Sequence, residues 1–504
     1  MEVFSMNKKA LTIAILFSMA TTGAFASDLV TTTVNNSGKL SKLQEQAVLL
    51  TQKQLADKAA KDVATFPSAL ALNEVKTVDL ALKNNRTAKQ SMWAYEAAKS
   101  TVSATAASKN PSVGYSYSAT RARDATDASS VTERGTNDVT ERGTNDFSLS
   151  VPVYTPSVDA AIDGARYDRE GAGASYEEAL QTAKLTAISD YYTLIMYRNL
   201  VDVAQQSVRD YDGHVTNVQA QYNVGLVASS DVLASRTNLA DAQTTLITRQ
   251  NSADVAETDL NIVIGYPVST SIETADKEMR YLPYNVTLEQ AKAYALLHRA
   301  TLVKSAMDVK SAEESVKQAK AGYLPTVSLT AGKNYASDDN YRGTSNNGWS
   351  VGANASLDIW DGGSTRNTIK VREAQLESAK EANLAAVDGV LHDVESAYLN
   401  LRAAEQTISS TKVAVEEGQE SFRIASLRYR AGVGINLDVL DAETSLTTAR
   451  NNYVQALYNY NIYVATLEQA VGVPLETPVG HGAPLIANSD SVNTLANLAA
   501  QVTK

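Results

Sequence analysis

Residues 387–429 read VDGVLHDVESAYLNLRAAEQTISSTKVAVEEGQESFRIASLRY. Within them Val387, Val394, Leu401, Ile408, Val415, Phe422 and Tyr429 recur at every seventh position. A strict seven-residue apolar repeat keeps one seam of a helix against a partner helix and imposes a left-handed supercoil. The run ends at Gly432, and the repeat then resumes as Val439, Leu446, Tyr453, Tyr460 and Leu467. The segment therefore predicts a long helix, a glycine-bearing turn and a returning helix: an antiparallel coiled-coil hairpin.

The same pattern occurs earlier in the chain. Tyr222, Gly225, Asp231, Leu233, Leu239, Leu260, Gly265 and Pro267 recur 207 residues later as Tyr429, Gly432, Asp438, Leu440, Leu446, Leu467, Gly472 and Pro474, without a gap. The first heptad series is Leu180, Ala187, Leu194, Val201, Val208, Val215 and Tyr222, continued after the turn by Val232, Leu239, Leu246, Ala253 and Leu260. Many identities at one fixed shift mark two copies of one unit. An outgoing arm from about Ser157 to Val224 spans roughly 100 Å at 1.5 Å per residue, a length that suits a device crossing a distance.

Each copy opens on a helical stretch, Leu72 to about Ser108 and Leu288 to about Ala321. Asn110-Pro111 and Leu324-Pro325 stop it, because the residue before proline disfavours the helical region. Apolar alternation with period two follows, the signature of a strand. It runs Val113-Tyr115-Tyr117 and Phe147-Leu149-Val151-Val153 in copy one, then Val327-Leu329 and Val351-Ala353-Ala355-Leu357-Ile359 in copy two. The predicted plan is a signal peptide at 1–26 and a helix-prone extension at 27–70. Repeat 1 covers 71–267, with a β-hairpin at 112–154 and a coiled-coil hairpin at 157–265. Repeat 2 covers 287–474, with a β-hairpin at 326–360 and a coiled-coil hairpin at 364–472. A tail occupies 475–504. The fold class is α+β with four strands per chain.

The signal peptide is read from Lys8 and Lys9, the apolar run Ala10 to Ala20 and the Ala24-Phe25-Ala26 cleavage site, with Met6 as an alternative start. A retained anchor is the other reading of this run, which is short for a span. Beyond it no apolar stretch reaches about 18 residues, so no transmembrane helix is expected. A secreted chain without one is soluble or part of a β-barrel. Four strands leave open edges, which a bilayer does not tolerate, and small barrels need about eight strands. Strands that enter a membrane therefore require several chains. The alternative is a soluble hairpin capping a periplasmic coiled coil. Between the strands, 121–146 and 333–348 read as polar loops of the exterior. The first contains a tandem octapeptide, 131–138 then 139–146, either a tolerated duplication or a ligand site.

Composition removes several function classes. A formal net charge of -11 argues against nucleic acid. The absence of cysteine excludes disulfides, thiolate metal sites, a cysteine nucleophile and a lipidated N-terminus. His214, His298, His392 and His481 have no carboxylate or second histidine at ligand spacing, so they read as satisfied or solvated. Gly164, Gly171 and Gly173 lack the strand and the Lys-Ser/Thr of a phosphate loop. No cofactor, resident metal or catalytic residue is expected, and the chain reads as no enzyme. The 24 tyrosines against 6 phenylalanines suit interfaces and wet lumens.

Gly225 to Leu233 (GLVASSDVL), Gly432 to Ala442 (GVGINLDVLDA) and Asp358 to Gly363 (DIWDGG) together resemble the motifs of TolC-type outer-membrane factors, over roughly residues 70 to 475. That resemblance implies a homotrimer, with a 12-stranded barrel in outer-membrane lipid continuous with a periplasmic tunnel of twelve helices. It implies a duct for efflux or type I secretion, working with a periplasmic adaptor and an inner-membrane ABC or proton-driven transporter. It places Asp438 and Asp441 in the periplasmic aperture ring. Tyr222, Gly225, Asp231, Tyr429 and Gly432 belong to the turns and links that close the tip. One family arginine of the closing network falls at Gly434, so closure needs other contacts, with Arg428 and Arg430 as candidates.

Asp438 and Asp441, three residues apart, share a helix face. Six such carboxylates in a narrow mouth favour cations, offer a site for cation block and raise one another's pKa. The competing reading makes Asp438 and Asp231 helix N-caps. The runner-up function is a non-porous periplasmic or surface coiled-coil scaffold or adaptor. The paired aliphatic strands separate the two readings.

Overall fold

The computed structural model describes residues 52–53, 69–123, 139–338 and 346–487. The expected signal peptide, most of the 27–70 extension, the first octapeptide copy and the end of the tail lie outside the described residues. The elements are β1 (Ala69–Leu72), α1 (Glu74–Asn84), α2 (Arg86–Ala107), β2 (Ser112–Arg123), β3 (Val139–Tyr154), α3 (Pro156–Asn223), α4 (Ser229–Ile264), β4 (Ser271–Thr274), α5 (Leu288–His298), α6 (Ala300–Lys320), β5 (Thr326–Asp338), β6 (Asn346–Ser356), α7 (Ser364–Arg430), α8 (Asn436–Val471) and α9 (Ala483–Ala487).

The long arms α3 and α7 have 68 and 67 residues, and the return arms α4 and α8 have 36 each. Gly225 and Gly432, with φ of 79° and 74°, turn the chain at the two tips. Gly265 and Gly472, with φ of 74° and 79°, end the return arms in the left-handed conformation that glycine adopts without strain. On α7 the buried residues Val390, Val394, Ala397, Leu401, Ala404 and Ile408 alternate steps of four and three, as a coiled-coil seam requires. In the tip half α4 packs on α3, α3 on α8 and α8 on α7. In the strand half α2 packs on α3, α3 on α6 and α6 on α7. Both halves form a wall of helices in which α7 and, at the other end, α2 or α4 have a free side.

The first helical stretch of each copy is broken, where a single helix was expected. In copy one the break falls at Asn85, whose side chain accepts from the backbone N–H groups of Thr87 and Ala88 and so caps α2. In copy two it falls at Arg299, whose guanidinium bonds the carbonyl of Gln469 at the end of α8 and reaches Glu178 at 3.0 Å. A cation at a helix C-terminus complements the exposed carbonyls there. Both breaks serve one packing. Gly265 lies against Asn84, and Gly472 against the carbonyl of His298, each where a Cβ would collide. A parallel ribbon of β1 and β4 beside these breaks had no signal in the sequence, being four residues on each side.

The four remaining strands form an antiparallel sheet in the order β2-β3-β5-β6, so β3 and β5 join the two copies. Register sets one face as rows such as Val113-Leu149-Ala331-Val351 and Tyr115-Phe147-Lys333-Trp349. The other face carries Gly114-Ser148-Gly332-Ser350 and Ser116-Asp146-Asn334-Gly348. The apolar face is uncovered: Trp349 is 80% exposed and Val351 74%. Two boundaries differ from expectation. Strand pairing continues into the supposed loops as far as Arg123, Val139, Asp338 and Asn346, because polar residues still satisfy the ladder. At the other end β6 stops at Ser356, and Leu357 to Trp360 are not strand; Asp361 instead accepts from the backbone N–H groups of Gly363 and Thr365 to start α7. No described helix is long and apolar enough to cross a membrane.

Candidate functional site

The tips of the two hairpins gather the residues expected in the aperture ring and the tip turns: Tyr222, Gly225, Asp231, Tyr429, Gly432, Asp438 and Asp441. Gly225 and Gly432 each close a 6→1 turn: Leu226 N donates to Gln221 O at 2.9 Å, and Val433 N donates to Arg428 O at 3.0 Å. Such turns satisfy carbonyls that a helix end leaves free. Asp438 and Asp441 lie in the first turns of α8, both exposed and on one face. Neither Asp438 nor Asp231 is an N-cap. The caps are Ile435 and Ala228, without side-chain bonds, and the aspartates sit third in their helices, where a negative charge still complements the N-terminus.

Tyr222 is largely exposed, whereas Tyr429 is buried with Val218, Val232 and Val439. The Tyr429 hydroxyl has no hydrogen-bond partner among the described residues, and burial, then the Asp231 charge, raises its pKa. The Tyr429 carbonyl accepts from Gln221 Nε2 of the other hairpin at 3.4 Å, and a second, buried tie lies beside it. Asn436, the first residue of α8, donates through Nδ2 to the carbonyl of Asp231 at 3.3 Å. That orientation makes its Oδ1 an acceptor, which receives His214 Nε2–H at 2.6 Å and the Ser235 hydroxyl at 3.2 Å. The His214 ring also lies 5.1 Å from that of Tyr429. Burial, and secondarily Arg430, hold the His214 pKa below its usual value, so the ring is neutral at pH 7. One amide thus joins α3, α4 and α8.

His214 reads correctly as a satisfied histidine, but the sequence did not show what it satisfies. Its place on α3 follows from a second seam: Ala204, Ser207, Tyr211, His214 and Val218 are all buried at steps of three and four. That series is too polar to notice as a repeat. Gly434 has its own reason to be glycine. A Cβ there would stand 3.1 Å from Arg428 Cβ and from Tyr429 N, so the loop folds back on the end of α7. Arg428 and Arg430 remain exposed beside it.

Above the tip, a groove of about 430 Å³ separates α3 from α7 over α8, with Arg209, Arg423, Arg430 and Arg450 along it. Tyr211 and Thr444 share a hydroxyl contact of 3.1 Å across the α3–α8 seam. Among the described residues no group of three or more His, Asp or Glu side chains is arranged to hold a metal ion.

These features are those of two long coiled-coil hairpins joined to an antiparallel sheet with an exposed apolar face, and the description of the outer membrane efflux protein family matches residues 77–266 and 293–473, one stretch in each copy. The chain belongs to the outer membrane efflux protein family. Outer membrane protein TolC of Escherichia coli (strain K12) is 27% identical over 314 residues, covering 59% of this chain and 63% of TolC. The match thus spans just under two thirds of that relative. Alkaline protease secretion protein AprF of Pseudomonas aeruginosa is 26% identical over 432 residues, covering 80% of this chain and 85% of AprF. Among solved structures, outer membrane protein VceC of Vibrio cholerae has the same fold, with a TM-score of 0.67 at 19% identity over 79% of this chain and 95% of VceC. As a member of this efflux protein family the chain is placed in the cell outer membrane.

Proposed function

We propose that three copies of this chain form an export duct: a 12-stranded barrel in the outer membrane, continuous with a periplasmic tunnel of twelve helices. The uncovered apolar face of the four-stranded sheet carries this reading. A sheet with two open edges and an exposed face of Val, Leu, Tyr, Phe and Trp has a home only in lipid, closed on itself. Its opposite face of Ser, Thr, Asn and Gly suits a wet lumen. Tyr115, Tyr117, Phe147 and Trp349 cluster toward one end, and Tyr154, Tyr323 and Trp360 toward the other, as two interfacial girdles.

The helices support the same assembly. Leu399, Val413 and Leu427 on α7, and Leu233 and Ile247 on α4, are exposed and two heptads apart. These stripes are exposed, Leu427 at the edge of the groove between α3 and α7, and a second copy buries them as further coiled-coil seams. In the trimer the six carboxylates of Asp438 and Asp441 ring the periplasmic aperture, prefer cations and are blocked by multivalent ones. The duct itself is passive and binds no cofactor. Energy comes from an inner-membrane ABC or proton-driven transporter coupled through a periplasmic adaptor. The cargo class spans small efflux substrates and secreted proteins, in keeping with the family description and with AprF.

The test is single-channel conductance in a planar bilayer, native protein against Asp438→Asn/Asp441→Asn. Native trimers are expected to conduct, prefer cations and be blocked by a multivalent cation from the tip side, with the block lost in the variant. Folded trimers that never conduct overturn the duct; a variant blocked like the native protein overturns the aspartate aperture alone.

A further inference from the structure

Between the two hairpins lies a carboxyl for which the aperture has no use. Glu443 follows Asp441 by two residues on α8 but points into the seam with α3, where only 1% of the residue is exposed. Thr447 Oγ1 donates to its Oε1 at 2.9 Å, the buried Ser207 hydroxyl of α3 stands beside the carboxyl and favours its ionised form, and Oε2 makes no direct hydrogen bond among the described residues. Asp210 faces it from α3. Arg450, seven residues on along α8, brings Nη1 to 3.6 Å from Asp210 Oδ2, beyond hydrogen-bond length. The other charges about the seam stand farther out. Arg209 on α3 and Arg423 and Arg430 on α7 line the groove on one side. Asp241 and Arg249 on α4 line a hydroxyl-rich pocket on the other. Asp441 lies on Glu443's own helix.

One guanidinium therefore stands with two carboxyls in the seam, Glu443 fully buried and Arg450 and Asp210 21% and 18% exposed. With Glu443 neutral, Asp210 and Arg450 are a balanced pair. With Glu443 ionised, a second negative charge is buried without a cation of its own, which is costly. We propose that Glu443, with Asp210 and Arg450, is a proton-operated latch: protonated, it lets α8 close on α3, and ionised, it loosens the seam between the hairpins just above the tips.

Burial first, and Asp210 second, push the Glu443 carboxyl up to about 7. A carboxyl whose folded pKa lies above its unfolded value of 4.5 stabilises the seam at low pH. That contribution is lost as pH rises through about 7. The latch works within ordinary periplasmic conditions rather than only at extremes. Its consequence for export rests on the duct reading; the latch itself does not.

The experiment uses the full-length trimer in detergent, spin-labelled at Asn217→Cys on α3 and Ser426→Cys on α7, which face each other across the groove; the chain has no other cysteine. Distances are measured by pulsed electron paramagnetic resonance from pH 5.5 to 8.5. The wider population is expected to grow as pH rises from 5.5 toward 7, by up to about tenfold per unit, the limit for one linked proton, and to level off above about 7. Glu443→Gln is expected to abolish the step, Glu443→Asp to retain one, and Asp210→Asn to lose the step at pH 7 because Arg450 is freed for Glu443. A native profile that is flat between pH 5.5 and 7, or a rise that persists in Glu443→Gln, overturns the latch. Conductance is recorded on the same samples. A label step that depends on Glu443 in trimers that never conduct leaves the latch standing and removes the duct.

Discussion

His214 Nε2 donates to Asn436 Oδ1 at 2.6 Å, although the two residues are 222 positions apart. The bond crosses from the outgoing arm of one hairpin to the first residue of the returning arm of the other. It is buried, and the amide's remaining group holds the Asp231 carbonyl.

Removing Asn436 leaves His214 Nε2–H buried and unsatisfied, and removing His214 leaves Asn436 Oδ1 with the Ser235 hydroxyl alone. His214→Ala and Asn436→Ala are each expected to destabilise the tip by about 1–3 kcal/mol. The double variant should cost less than the sum of the singles, because the two act as one contact. Protease accessibility of the tip loops at pH 7.5, compared across the four proteins, checks both statements.

The same contact has a pH sense opposite to that of Glu443. The folded pKa of His214 lies below its usual 6.5, so its stabilisation is complete above 6.5 and is lost as pH falls through the folded value. Loop cleavage of native protein is expected to quicken between pH 6.5 and 5, and His214→Gln is expected to show no such limb. A native profile that stays level over that range would count against the assignment.

Glycines with the same backbone angle should not be equally replaceable. Gly432 (φ 74°) has open space where a Cβ would stand, so Gly432→Ala is expected to cost about 1 kcal/mol of left-handed strain alone. Gly472 (φ 79°) has the His298 carbonyl oxygen 3.0 Å away from that point. Gly472→Ala must also move backbone and should lower the melting temperature distinctly further. Thermal unfolding of purified trimers ranks the two.

The two faces of the sheet make contrary demands. Val351→Arg places a charge on the apolar face and should cost about 2–4 kcal/mol near the bilayer midplane. Thr330→Arg, on the polar face, should assemble normally. The yield of heat-modifiable trimers in the outer-membrane fraction reports the difference.

Val413 is exposed on α7 in the stripe shared with Leu399 and Leu427. In the proposed trimer its burial against another copy would be worth about 1.5–3 kcal/mol at each of three seams, and Val413→Asp replaces that gain by a charge-burial cost. The variant is expected to remain helical by circular dichroism but to run as monomer by light scattering.

The repeat, the two hairpins and the strand alternation were legible in the chain because each is a one-dimensional pattern of period seven or two, and because two copies state it twice. Gly225 and Gly432 were legible for the same reason, since a glycine between two heptad runs has few other uses. The aspartates Asp438 and Asp441 could be placed on one face by spacing alone. The competing reading of Asp438 and Asp231 as N-caps fails, because a cap is decided by which residue leaves the helix first, here Ile435 and Ala228. The expected unbroken opening helices failed at Asn85 and Arg299, where the end of another helix, not local propensity, requires the break.

By itself the sequence determined the periods: which residues face a partner, where the arms turn, and which side of each strand is apolar. Local stereochemistry and burial dictate these, and they can be read along the chain. Only the tertiary structure decided which seams meet. It put His214 against Asn436, left the Tyr429 hydroxyl without a partner among the described residues, and turned Glu443 rather than Asp441 into the seam between hairpins. Those outcomes depend on the register of α3 against α8, a pairing of segments about 200 residues apart. A shift of one residue along either helix would send a different side chain into the seam.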